Sequence, residues 1–208
     1  MKILARAVIV VLSLSTALTA GIPETGEIRR LDFKNFSFPW DEEMGEASSV
    51  PTISRWINPL PQGHIRAVRG IYHFYSPGQD ELERERAPLI SVDSITYGDL
   101  DGDGMEEAAV HLNYSTGGTQ NWDFLYIYKL SRGHPKLLGV LESGSRGYGG
   151  LVRTSIAKGL LVLDFADAER RVGDCCSEGY IRVRYRWQGH GFAEQGPREH
   201  GDLTLKVH

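Results

Sequence analysis

The residues most able to do chemistry lie in one short acidic loop, 99–107. Carboxylates occupy its first, third and fifth positions, a glycine that permits a sharp turn occupies the sixth, and an acid closes it at the ninth. Calcium prefers a cage of oxygen atoms from carboxylates and backbone carbonyls, so this spacing predicts a calcium site. The predicted ligands are the side chains of Asp99, Asp101, Asp103 and Glu107 and the backbone carbonyl of Met105.

Electrostatics favours the same interpretation of the loop. Five acids fall within residues 99–107, and carboxylates this close repel one another unless a cation lies between them. The alternative is a solvated Asp-Gly turn in which each residue serves turn geometry alone. A helix-flanked calcium hand is excluded, because its twelfth position requires a glutamate and this chain has Val110 there. We expect a modest affinity, about 10⁻⁴–10⁻³ M, as in extracellular calcium modules.

The loop resembles the calcium loops of FG-GAP and integrin-α-type β-propeller blades, which read Asp-x-Asp/Asn-x-Asp-Gly-x-x-Asp. Glu107 stands where that pattern has its last aspartate. The resemblance implies the ligand set given above and a strand directly after the loop, along which Glu106 points the other way. The chain contains no second copy of the loop, so a propeller built from such blades is not predicted.

A longer resemblance runs from Tyr97 to Arg198 and is carried by the segments YGDLDGDGMEEAAV, GGTQNW, GDCCSEG and RVRYRW. These segments look like those of small exported bacterial proteins of unassigned function, including LppP/LprE-type lipoproteins. Such proteins share a DGDG loop and a Cys-Cys pair before a final hairpin, but this chain lacks their lipid-attachment cysteine. The resemblance implies a location in the bacterial envelope or outside the cell, and it implies no activity.

Cys175 and Cys176 are the only cysteines of the chain, and they are adjacent. Exported proteins tend to oxidise their thiols, which favours a disulfide between the two. Adjacent Cα atoms are about 3.8 Å apart, below the usual disulfide range, so such a bridge is strained and easily reduced. Two free thiols or an intermolecular bond are the alternatives. A zinc site is not predicted, because two adjacent thiolates lack partners at ligand spacing.

No motif of a known catalytic type is present. The chain contains neither a Gly-x-Ser-x-Gly elbow nor a His-Glu-x-x-His pair, and its seven histidines are scattered, with His111 on the strand face of Glu107. We predict a structural or binding role with an unknown protein, peptide or glycan partner. A secreted hydrolase with an unrecognised active site is the alternative. A peptide or glycan binder built on aromatic side chains rests on composition alone and would use Trp122, Tyr126 and Tyr148.

The first twenty residues have the pattern of a secretory signal peptide. Lys2 and Arg6 flank the start of an apolar run over 7–14, and small residues follow up to Ala20. We therefore expect a secreted or periplasmic protein, with no later segment that crosses a membrane. Removal of residues 1–20 takes two positive charges from a chain whose formal net charge is already −4. Phosphate binding needs a basic face, so nucleic acid is excluded as a general partner.

Short strands must position these residues. Alternating, β-branched or aromatic segments predict strands within 64–75, 89–97, 108–114, 122–130, 137–141, 151–156, 160–165, 180–187 and 192–195. Residues 80–86 are expected to form a charged loop or one helical turn. We predict a mainly β protein, a single antiparallel β domain over 63–208 built as a meander, sandwich or partial barrel, with the calcium loop between two strands. An extended arm over 21–62, anchored by aromatic side chains, precedes this domain.

Overall fold

A computed structural model describes residues 27–41, 44, 54–75, 78–118, 121–173 and 175–203. The predicted signal peptide, 1–20, lies outside these residues, as do parts of the predicted arm. Within the described ranges, no helix has both the length and the apolar character needed to cross a membrane.

The described chain is built mainly from strands joined by tight turns. In chain order they are β1 (Ser37–Pro39), β2 (Ser54–Trp56), β3 (His64–Arg66), β4 (Ile71–His73), β5 (Leu89–Gly98), β6 (Glu107–Ser115), β7 (Asn121–Ser131), β8 (His134–Ser143), β9 (Leu151–Ala157), β10 (Leu160–Ala166), β11 (Arg171–Val172), β12 (Cys176–Ser177), β13 (Gly179–Trp187), β14 (Phe192–Glu194) and β15 (Glu199–Asp202). One short helix, α1 (Glu81–Glu85), and three single 3-10 turns (Ile28–Arg30, Phe33–Asn35 and Ala168–Arg170) complete the elements.

These strands form two main sheets, and every pairing is antiparallel. The larger sheet has the order β2-β8-β7-β6-β5-β4, and the smaller has the order β14-β13-β10-β9 with β15 also paired to β13. Two further ribbons pair β1 with β3 and β11 with β12. In the described part of the chain neither main sheet closes on itself, and the prediction of a single, mainly β antiparallel domain is confirmed.

The six-stranded sheet is buried on both faces. One face packs on the five-stranded sheet through an apolar core that includes Leu125 and Ile127 of β7 with Leu161, Leu163 and Phe165 of β10. The opposite face packs on the N-terminal arm through a second core. Both faces of β7 are therefore apolar, as a strand covered on each side requires.

The described part of the arm belongs to the domain core. Phe33 and Phe38 are 1% and 0% exposed, and the ring of Phe38 meets that of Tyr126 edge-on at 5.4 Å. The Tyr126 hydroxyl donates a hydrogen bond to the carbonyl of Pro39 at 2.7 Å. Full burial of an aromatic side chain such as Phe38 contributes roughly 2–3 kcal/mol, so the arm stabilises the sheet that it covers.

The shortest elements were the hardest to predict. The strands β2, β11, β12 and β15 span only two to four residues, too few for an alternating pattern to show. The helical turn expected in 80–86 is present as α1, whose N-terminal Asp80 accepts a hydrogen bond from the backbone of Glu83 in a reciprocal capping box.

Candidate functional site

The acidic loop connects β5 to β6 and is held at its base by both sheets. Gly98 pairs with Glu107 across the two strands, and a Cβ atom on Gly98 would lie 2.5 Å from Cγ2 of Ile156 in β9. Leu100 is 2% exposed and belongs to the core between the sheets. The base of the loop is therefore fixed by packing.

The aspartates of the loop shape its backbone. Asp99 accepts hydrogen bonds from the N–H groups of Gly102 at 2.6 Å and Gly104 at 3.1 Å. Asp101 accepts from the N–H of Asp103, and Asp103 accepts from that of Met105. The φ angles of Gly102 and Gly104 are 78° and 85°, a conformation that glycine adopts readily. Each carboxylate keeps lone pairs for a further ligand, because every oxygen can accept more than one contact.

Glu107 is a buried carboxyl group at the first position of β6. It is 1% exposed, and its Oε2 accepts a hydrogen bond from the N–H of Leu100 at 2.6 Å. Burial is the main cause that raises the pKa of Glu107 to about 7, and the neighbouring charges of Asp101 and Asp103 contribute to that increase. An ionised carboxylate at this position therefore carries an electrostatic cost, which a bound cation would lower.

Three of the predicted ligands come together. One carboxylate oxygen from each of Asp99, Asp101 and Glu107 lies within 4.8 Å of the others. An ion bound at roughly 2.3–2.6 Å from each oxygen requires ligand oxygens no more than about 5 Å apart, so these three fit one calcium ion. An all-oxygen, all-carboxylate set suits a hard dication rather than a soft transition metal.

The other two predicted ligands lie differently. Asp103 is outside that group of three, and its Oδ2 lies 3.4 Å from the ammonium group of Lys129. The Met105 side chain is exposed, and its N–H donates to Asp103 at 2.9 Å. The carbonyl oxygen of Met105 stays a predicted ligand.

Lys129 is a neighbour of the carboxylate cluster that sequence reasoning missed. Its Nζ donates to Asp101 Oδ2 at 2.5 Å, and the contact raises the pKa of Lys129. The β6–β7 ladder pairs Ala108 with Tyr128, which sets Lys129 beside the start of β6. With all groups ionised, its single positive charge leaves the four loop carboxylates at a net charge of about −3, so attraction for a dication remains.

Glu106 lies outside the cluster of carboxylates. It forms a bidentate ion pair with Arg29 of the arm, with contacts of 2.5 and 2.8 Å, and this hydrogen bonding lowers the pKa of Glu106. The Arg29 guanidinium also lies 4.4 Å from the centroid of the Tyr97 ring. Glu106 and Glu107 are adjacent in sequence but serve different contacts, because successive strand residues point to opposite faces.

A second polar site lies between the two sheets, at the other end of β6. This cleft of about 360 Å³ is lined by strand residues, by the glycine-rich loop after β8 and by the β11–β12 ribbon. We call it the ribbon cleft. Its polar and sulfur-bearing lining residues are Asp93, His111, Asn113, Asp123, Arg146, Cys175, Cys176 and Ser177.

A histidine and an aspartate form a fixed pair in the ribbon cleft. Nε2 of His111 lies 2.9 Å from Oδ1 of Asp123. The same Asp123 accepts hydrogen bonds from the side-chain amide of Asn113 and from the N–H of Leu151, each at 2.9 Å. Asp123 is 7% exposed, so three donors orient it in a nearly dry position. Sequence reasoning saw only the strand face of His111, because its partner lies on another strand.

Cys175 and Cys176 are joined in a vicinal disulfide. Cys175 is exposed and Cys176 half-buried. The Ser177 hydroxyl anchors the ribbon: it lies 2.7 Å from the carbonyl oxygen of Asp167, which accepts its proton, and it accepts a hydrogen bond from the N–H of Gly179 at 3.1 Å. Gly147 packs so closely that a Cβ atom there would lie 2.6 Å from the carbonyl oxygen of Cys176.

The aromatic residues considered for ligand binding do not form one surface. Tyr126 is completely buried, so the prediction that it contacts a ligand is wrong; its ring fills the core under the arm. Trp122 is half-buried and packs against the same core. Only Tyr148 is exposed, and the guanidinium of Arg171 lies 4.1 Å from its ring centroid.

Comparison with known proteins identified no relative of this chain. No family model matches the chain, and neither a curated protein nor a solved structure matches it.

Proposed function

We propose that the chain is an exported β domain whose acidic loop binds calcium as a structural ion, in a protein with a binding or structural role. The observation that carries the proposal is the grouping of Asp99, Asp101 and Glu107, whose carboxylate oxygens lie within 4.8 Å of one another. The FG-GAP-like spacing of the loop supports the same ligand set. The signal-like N-terminus supports export, where millimolar calcium matches the affinity expected of such a module.

A structural role suits the position of the loop better than a switch. Leu100 and Glu107 are both buried, and Gly98 packs on Ile156. A loop held at its base in this way has little room to open on binding. The calcium ion would neutralise the acids and cross-link the ends of β5 and β6, which stabilises the folded state through binding alone.

Thermal unfolding with and without calcium tests this proposal. At ten times its dissociation constant, calcium should raise the free energy of unfolding by roughly 1.4 kcal/mol. For a domain of this size that corresponds to an increase in Tm of about 3–5 °C. The matched variants are Asp101→Ala and Glu107→Gln, in which the calcium-dependent increase should disappear. Magnesium at the same concentration should give a smaller increase, because it prefers a tighter octahedral site.

Glu106→Gln is the matched control. It removes one acid from the same loop, but from the residue that pairs with Arg29 rather than from the cluster. We expect this variant to keep the full calcium-dependent increase in Tm. Equal melting of the wild-type protein with calcium and with a chelator would refute calcium binding, and loss of the increase in Glu106→Gln alone would place the ion elsewhere.

A secreted hydrolase is the second candidate, and the His111–Asp123 pair in the ribbon cleft favours it. Such a pair can orient an imidazole as a general base. Among the described residues, however, no serine or threonine hydroxyl hydrogen-bonds His111, and the Ser177 hydroxyl is engaged by backbone carbonyls. A hydrolase here would therefore have to activate water. Turnover of chromogenic esters or glycosides that His111→Ala abolishes would support it; no turnover by the wild-type protein would exclude these substrates.

A further inference from the structure

We propose that the ribbon cleft is a thiol–disulfide exchange site, in which the Cys175–Cys176 disulfide reacts with a low-molecular-weight thiol and His111 transfers the proton. The inference does not depend on calcium. It rests on the meeting of two reactive groups in one cleft: a vicinal disulfide and a histidine–aspartate pair, brought together from the β11–β12 ribbon and from β6 and β7.

The disulfide is accessible on one side and supported on the other. Cys175 is exposed, while Cys176 is half-buried and its backbone packs against Gly147. The Ser177 hydroxyl ties the next residue to the body of the domain. An incoming thiolate can therefore reach the sulfur of Cys175, and the sulfur of Cys176 stays in place as the leaving group.

The histidine is held for proton transfer. Asp123 fixes Nε2 of His111 at 2.9 Å and is itself fixed by Asn113 and by the backbone of Leu151. An aspartate that hydrogen-bonds one imidazole nitrogen in this way fixes the ring orientation and leaves the other nitrogen for proton transfer. Asp123 is thus a positioning residue, and His111 is the group that exchanges the proton.

The reaction balances with the thiol as the reductant. His111 accepts the proton of the first thiol, and the thiolate attacks the sulfur of Cys175. The bond between the two cysteine sulfurs breaks, and Cys176 leaves as a thiolate that takes the proton back from His111. A second thiol attacks the small-molecule sulfur of the mixed disulfide, the bond between that sulfur and Cys175 breaks, and the proton of the second thiol passes to the Cys175 thiolate. The products are a protein dithiol and a small disulfide, a two-electron exchange.

The ribbon cleft is lined by groups of both charges. Its ionisable lining groups are Asp93, His111, Asp123 and Arg146. Because the cleft has a volume of about 360 Å³, it suits a small-molecule thiol rather than a folded protein partner.

The test measures how fast the intact protein is reduced. Glutathione is the thiol probe, and a water-soluble phosphine, which attacks sulfur without losing a proton, reports access alone. The extent of reduction is measured by alkylating the freed thiols and determining the mass of the protein.

His111→Gln should lower the rate of reduction by glutathione at least about tenfold, as loss of general-base assistance predicts, and should change the rate of reduction by the phosphine less than about twofold. His134→Gln, an exposed histidine outside the cleft, should change neither rate.

Three further measurements separate proton transfer from a structural effect. Free imidazole should restore part of the glutathione rate of His111→Ala, and Asp123→Asn should lower the ratio of the glutathione rate to the phosphine rate. The wild-type chain unfolded in guanidinium provides a reference that needs no variant, because folding must raise that ratio. Equal ratios in the folded and unfolded chain would overturn the proposal, as would a folded His111→Gln protein with the wild-type ratio.

Discussion

The acidic loop and the ribbon cleft lie at opposite ends of one strand face and are assembled in different ways. Glu107, Ala109, His111 and Asn113 alternate along the face of β6 that meets the five-stranded sheet. Ala109 belongs to the apolar core, and polar groups flank it on both sides. The loop draws its acids from nine consecutive residues, whereas the cleft draws its polar groups from several strands, a loop and a ribbon.

This difference separates a loop whose carboxylates are only partly neutralised from a cleft whose aspartate is surrounded by hydrogen-bond donors. At the loop, carboxylates gather beside Lys129. In the cleft, Asp123 already has three donors. We therefore expect calcium to stabilise the loop and to leave the cleft unaffected. The following variants and conditions test that contrast.

Asp123→Ala should have the largest effect on stability. It removes the acceptor of three hydrogen bonds in a nearly buried position, and we expect a loss of roughly 3 kcal/mol in the free energy of unfolding. The loss should be the same with and without calcium, as measured by urea denaturation. Asp93→Ala is the control, because Asp93 lines the same cleft but is exposed. Equal, small losses in the two variants would show that the pair does not organise the cleft.

The second-largest effect should be a dependence of stability on pH that is caused by Glu107 of the loop. Burial raises the pKa of Glu107 to about 7, so the folded chain binds more protons than the unfolded chain at mildly acidic pH. Stability from this group is then complete below the ordinary glutamate pKa and is lost as pH rises through about 7. The Tm of the calcium-free protein should fall between about pH 5 and pH 7. Glu107→Gln should flatten that fall; an unchanged profile would contradict the assignment.

Lys129→Met should distinguish the contribution of the lysine to stability from that of a bound calcium ion. Without the ammonium group the loop carries one more net negative charge, so the calcium-free protein should lose about 1 kcal/mol or less. Calcium should bind roughly three to ten times more tightly, because a competing positive charge is gone. Titration calorimetry measures the affinity. Lys136→Met on the neighbouring strand, at an exposed position opposite Lys129, should leave the affinity unchanged, and weaker binding in Lys129→Met would contradict the account.

The smallest effect is expected outside both regions. Arg184 pairs with Glu199 at 2.8 Å on the exposed face of β13, and exposed ion pairs contribute little to stability. Arg184→Gln should therefore leave the unfolding midpoint, the calcium response and the rate of disulfide reduction unchanged. A clear change in any of the three would mean that the arginine row of β13 is coupled to one of the sites.

Local patterns in the chain were sufficient for the longer strands and for the loop. The alternation in 180–187 and the turn residues around the hairpins predicted β13 and its neighbours, since strand periodicity is a local property. The spacing of the loop predicted four ligand carboxylates, Asp99, Asp101, Asp103 and Glu107, of which three come together and Asp103 lies outside the group. The short strands β2 and β15 were missed because three or four residues show no period.

The amino-acid order alone specified an antiparallel β domain, one acidic loop between two of its strands and an adjacent pair of cysteines. Strand pairing then decided which residues the loop and the cysteines contact. The β6–β7 register sets Lys129 beside the acids and Asp123 beside His111, and sheet packing brings the cysteine ribbon to the same cleft. The physical reason is that spacing within a strand or turn follows from local backbone geometry, whereas contacts between strands depend on register and burial across the whole chain.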